Sequence, residues 1–193
     1  MAKKNYEFRP DQSGSSFLSK LAPTRNQRYS LLRWTLYGLL LLLASLIQDV
    51  AMSQVRLFGA TTDLVPCVIF TICMLLTVET GTVFCLVTSL IYLFSGGAAG
   101  YYSVPLITFL GTFISIFRHS YLRKGFSATM LCTAACIILY ELAVFVFGLA
   151  FGLTHLSRLI GFAITGGLSF LAAPIAYPIA LSISKIGGET WRE

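Results

Sequence analysis

Of 193 residues, 56% are hydrophobic and only 11% charged, where a soluble domain carries about 25% charged residues. Mean hydropathy is +0.78, so the chain lacks the charge to solvate a globular surface, and the fold class is an all-α integral membrane protein. The net charge of +6 does not indicate nucleic acid, because seven of the 14 Lys and Arg residues (Lys3, Lys4, Arg9, Lys20, Arg25, Arg28 and Arg33) precede the main apolar runs. Basic residues so placed set topology and can touch anionic lipid.

Residues 1–30 read as a cytosolic basic tail, in which Phe17, Leu18 and Leu21 share one side of a short amphipathic stretch. At over thirty residues, the polar stretch is longer than a signal-peptide n-region, so no cleaved signal is expected.

Residues 31–185 read as a transmembrane domain of about six helices. The first run starts near Leu31 and reaches about 20 residues only if it extends past Gln48 and Asp49 to Val55. The second covers Leu64–Val78, the third Gly81–Phe94 and the fourth Ser103–Phe117. Several of these are about 15 residues, roughly 22 Å of helix against a core of about 30 Å, so the second and third runs are either spans or a re-entrant hairpin. The fifth covers Phe126–Thr154. The sixth covers Leu159–Ser184 and contains Gly166, Gly167, Pro174 and Pro178, which predict a kink. Residues 186–193 form a short cytosolic tail. With the N-terminus inside, 12 basic residues fall on the inner side and two, Arg56 and Arg158, on the outer, which places both termini in the cytosol.

No Walker loop, G-x-S-x-G, H-E-x-x-H or dinucleotide fingerprint occurs. His119 and His155 fall on opposite sides of this topology, and no nucleophile–base pair is visible, so no enzymatic activity, cofactor or metal is expected. The five cysteines all lie in apolar runs without zinc-site spacing. Glycine and small-residue pairs at i, i+4 (Gly96 and Gly100, Gly111 and Ser115, Gly148 and Gly152) allow close helix approach.

Four acids stand near or within spans: Asp49, Asp63, Glu79 and Glu141. Glu141 falls roughly 22 Å along the fifth helix, so it must face protein or be neutralised. Asp63 precedes Leu64, with Pro66 in the first turn, which is N-cap chemistry. Asp49, Arg56, Asp63, Glu141, His155 and Arg158 all belong to the outer half. They form either a structural polar cluster or a contact site for a partner or small ligand.

The stretch "LFGATTDLVPCVIF" after the first span resembles the MreD family, the rod shape-determining membrane proteins of bacteria. Gly59, Asp63 and Leu64 match the family's Gly and Asp-Leu pair, and "FSGGAAGYY" resembles its glycine-rich stretch after the third span. Members often carry Pro where Thr62 stands and an acid near Tyr92. The resemblance covers the chain from about Leu31 onward. It implies a non-enzymatic scaffold in the bacterial cell membrane that binds MreC. Through MreC it would act with MreB and the enzymes of side-wall peptidoglycan synthesis. Asp63 would then cap the second helix and shape an outer docking surface. The alternative is a vitamin-binding subunit of an energy-coupling-factor transporter, of similar length and hydropathy, with Tyr140, Glu141 and Arg158 facing the ligand. MreD-like proteins are expected to share that compact architecture.

Overall fold

The computed structural model describes residues 25–52, 62–121 and 125–186. The tail before residue 25, the stretch 53–61 with Arg56 and Gly59, and Arg123, Lys124 and Trp191 lie outside the described residues.

Among the described residues the structure is helical throughout, without a strand. Helix α1 (Arg25–Leu46) continues into a π-helical turn (Ile47–Met52). There follow α2 (Leu64–Cys73), α3 (Val78–Phe94), α4 (Ser103–Tyr121), α5 (Phe126–Ala150), a 3₁₀ turn (Leu156–Arg158), α6 (Leu159–Phe170) and α7 (Ala173–Ser184).

The shortest of the early helices is the hub. Every residue of α2 from Val65 to Cys73 is buried, and α2 packs against all six other α-helices. Its sequence, LVPCVIFTIC, is apolar all round, as a fully enclosed helix must be. Its one hydroxyl, Thr71 Oγ1, donates to the Cys67 carbonyl at 2.8 Å. Ten residues make about 15 Å of helix, half the hydrocarbon thickness. The second run therefore ends earlier than its hydropathy predicts. Met74, Leu75 and Leu76 are buried in the turn into α3, with the N–H of Met74 bonded to the Phe70 carbonyl at 3.0 Å.

Among the described residues, two helical stretches can cross a membrane by length and composition: Arg28–Val50 and Phe126–Ala150. Leu156–Phe170 and Ala173–Ser184, bent by 41°, make a third if taken as one broken span. The kink expected in the sixth run is present, and its cause is Pro174. Pro174 has no N–H, and its ring conflicts with the carbonyl four residues back, at Phe170, where α6 stops.

Small residues seat α3 on α4. A Cβ at Gly81 would meet Ser115 Oγ at 3.2 Å, and one at Gly111 would overlap Cys85 Sγ. Gly111 and Ser115 are thus packing residues, as their spacing predicts. The other two pairs differ. Gly96, Gly100 and Gly152 have φ of 78°, 158° and 69° and serve the chain's turns. Gly152 ends α5 in a Schellman motif: the Leu153 N–H reaches the Gly148 carbonyl at 2.8 Å, and the Gly152 N–H reaches that of Leu149 at 3.1 Å.

Outward, α1, α3, α4 and α5 present large apolar side chains, among them Leu42, Ile91, Phe109 and Leu131. Several hydroxyls inside the bundle bond back onto their own helices, as Thr88 does to the Phe84 carbonyl at 2.7 Å and Thr108 to that of Val104 at 2.8 Å. Both features suit a lipid surround, where polar groups must be satisfied internally.

Candidate functional site: a buried polar cluster at the start of α2

The N-terminus of α2 is held by side chains from two other elements. Gln48, buried in the π-helical turn, accepts the Val65 N–H at Oε1 (3.0 Å) and donates from Nε2 to the Tyr92 hydroxyl of α3 (3.3 Å). Ser169 of α6 accepts the Asp63 N–H at 2.8 Å and donates to the Thr165 carbonyl at 2.7 Å. One amide oxygen and one hydroxyl oxygen therefore accept two of the orphan N–H donors at the start of α2 from outside the helix.

This arrangement corrects the expected role of Asp63. It occupies the N-cap position, at φ −102° and ψ 79°, yet its carboxylate makes no cap hydrogen bond. The reason is local. An N-cap side chain bonds the N–H of the second or third helical residue. Here the third is Pro66, which has none, and the second, Val65, is taken by Gln48. The carboxylate of Asp63, half-buried, is left free of helix capping.

Glu141, in the second half of α5, is the other acid of this region. It is 4% exposed, and its Oε1 has no hydrogen-bond partner. Gly166 of α6 makes room for it, since a Cβ there would stand 3.3 Å from Glu141 Cγ. Asp63 and Glu141 lie close enough to sense each other's charge, and the Tyr92 and Tyr140 hydroxyls lie within reach of both fields. Tyr140 is 1% exposed, stands edge-on to Phe70 at 6.2 Å, and its hydroxyl has no partner. Two carboxylates in a low-dielectric interior, with no Lys or Arg paired to them among the described residues, call for a compensating proton or an external positive group.

Of the residues predicted from sequence, Asp63 and Glu141 come together, and the half-buried Leu64 opens the hub helix beside them. Arg158 does not join them: it is exposed in the 3₁₀ turn, its backbone N–H bonded to the His155 carbonyl at 3.0 Å. His155 is exposed, and so is Asp49, which accepts from Ser45 Oγ at 3.4 Å. Gly59 and Arg56 lie outside the described residues. Gln48 and Ser169 are the members sequence reading did not single out. Gln48 left one trace, as an amide placed inside an otherwise apolar run.

Among the described residues, no group of three or more His, Cys, Asp or Glu side chains is arranged to hold a metal ion. The five cysteines are free and buried, with Cys73 and Cys85 in sulfur–sulfur contact at 2.6 Å. No family model, no curated protein and no solved structure matches the chain.

Proposed function

We propose that this chain is a multi-pass scaffold of the bacterial plasma membrane, acting without enzymatic chemistry in the cell-elongation complex. It binds MreC and, through it, MreB and the enzymes of side-wall peptidoglycan synthesis, and so helps maintain rod shape. Six membrane passages with both termini in the cytosol belong to the same reading, supported by the 12-to-two distribution of basic residues.

The observation that carries it is Asp63. The stretch that resembles the MreD family opens the central helix of the bundle, and its acid is not occupied in capping that helix. An acid at such a position that does not cap its helix is available for a partner. The test is co-purification from gently solubilised membranes with a tag on the C-terminus. MreC is expected with the wild-type chain and is diminished with Asp63→Ala. Recovery of MreC undiminished by the substitution counts against a role for Asp63, and failure to recover MreC at all counts against the scaffold.

The convergence of Asp63, Tyr92, Tyr140 and Glu141 favours a second reading, the substrate-binding subunit of an energy-coupling-factor vitamin transporter. Under it, the same purification yields an ATPase pair with a coupling membrane subunit, or a bound vitamin.

A further inference from the structure

At the end of the bundle opposite the carboxylates, where α1 begins, α2 turns into α3 and α7 stops, three elements enclose a cavity of about 80 Å³. Arg33 and Tyr37 of α1, Thr77 and Thr80 at the head of α3, and Ser184 of α7 supply its polar walls, over Leu75 and Leu76. We propose that this cavity binds a phosphate-bearing anion.

Three independent features point the same way. Tyr37 is 0% exposed, lines the cavity, and has a hydroxyl with no hydrogen-bond partner. A fully buried donor without an acceptor costs about 1–3 kcal/mol, which an anion in the cavity would recover. The guanidinium of Arg33 lies close enough to act electrostatically on that hydroxyl, and guanidinium is the side chain best matched to phosphate oxygens.

The third feature is the N-terminus of α3, a 17-residue helix whose N-cap Thr77 makes no side-chain cap bond. The hydroxyls of Thr77 and Thr80 bond each other at 2.7 Å, and the first intrahelical backbone bond runs from the Gly81 N–H to the Thr77 carbonyl at 2.7 Å. The N–H groups of Val78, Glu79 and Thr80 thus precede the helical ladder, at its positive end.

Among the described residues, no acidic side chain lines the cavity. Glu79 sits in the first turn but is exposed and does not line the cavity. The Ser184 hydroxyl already donates to the Leu181 carbonyl at 2.7 Å, whereas the buried Tyr37 hydroxyl has no acceptor.

The cavity is small enough to select a compact oxyanion. Arg33 lies five residues into the apolar stretch Arg28–Val50, about 8 Å along the helix and so near headgroup depth. The anion is therefore the phosphodiester of a lipid headgroup or free phosphate.

The test uses the full chain in mild detergent. One arm offers vesicles of equal phosphatidylglycerol and phosphatidylcholine and reads retained lipid by native mass spectrometry. The other titrates inorganic phosphate and reads thermal unfolding. Preferential retention of phosphatidylglycerol, undisturbed by inorganic phosphate, identifies a lipid headgroup. Stabilisation by inorganic phosphate without lipid preference identifies the free anion. In either case Tyr37→Phe, which keeps the ring packed 6.0 Å from Phe84, and Arg33→Gln each weaken binding about tenfold or more. Equal retention of both lipids with no response to phosphate overturns the proposal. So does binding that survives both substitutions unchanged in chains that still unfold cooperatively.

Discussion

Gln48→Leu would remove two hydrogen bonds from the start of α2, leaving the Val65 N–H and the Tyr92 hydroxyl to find other partners. A buried donor without an acceptor costs about 1–3 kcal/mol, so the substitution should lower stability by about 2–4 kcal/mol. Thermal unfolding in detergent checks it, and Tyr92→Phe, which removes only the partner of Gln48 Nε2, should lose less. Asp63→Asn is expected to behave oppositely. Its carboxylate makes no cap bond, so stability should change by less than about 1 kcal/mol, while partner binding falls. Were Asp63→Asn as damaging as Gln48→Leu, the acid would be a structural member of the cluster after all. At this scale the sequence revealed that Asp63 and Glu141 were unusual. It could not reveal their relation to Gln48 and Ser169, because those bonds depend on which helices meet.

Among the elements, the α3–α4 seam offers a sharp test of packing. Gly111→Ala would drive a methyl into Cys85 Sγ, which is itself held against Cys73. Overpacking of this kind costs about 1–3 kcal/mol. The companion change Cys85→Ala should restore part of the loss, and a double-mutant cycle of unfolding free energies measures the coupling. Pairs of small residues were visible in the sequence, but spacing alone did not separate seams from turns. Gly111 and Ser115 pack, whereas Gly96, Gly100 and Gly152 hold φ values that other residues avoid. Gly152→Ala should accordingly cost about 1–2 kcal/mol through its backbone alone, without disturbing any helix contact. The length of α2 was hidden for a related reason. Met74–Leu76 are as apolar as the helix they follow, and hydropathy registers burial rather than the turn that changes the chain's direction.

The whole molecule is a bundle arranged about one short helix, and its two ends differ in kind. Carboxylates gather where α2 begins, and Arg33 with the α3 N-terminus where it turns back. If the proposed topology holds, cysteines introduced singly at residues 3 and 190 should resist an impermeant thiol reagent in intact cells and react after lysis, and one introduced at residue 101 should react in both. Labelling of residue 3 in intact cells would invert the orientation. Composition and the order of apolar and basic segments determined the all-helical character and the candidate crossings. The break at Pro174 was equally legible. These are properties that each segment carries by itself, because burial of apolar surface and the backbone's own restrictions do not depend on neighbours. Only the tertiary structure decided that the least exposed helix is too short to cross and that Glu141 and Asp63 share one electrostatic neighbourhood while Arg158 stays exposed in its turn. It alone freed Asp63 from capping, because Gln48, 15 positions earlier, reaches the first turn of α2 before Asp63 can. Hydropathy gives a residue's depth along the membrane normal, while the side of the helix it occupies, and what waits there, is settled by packing.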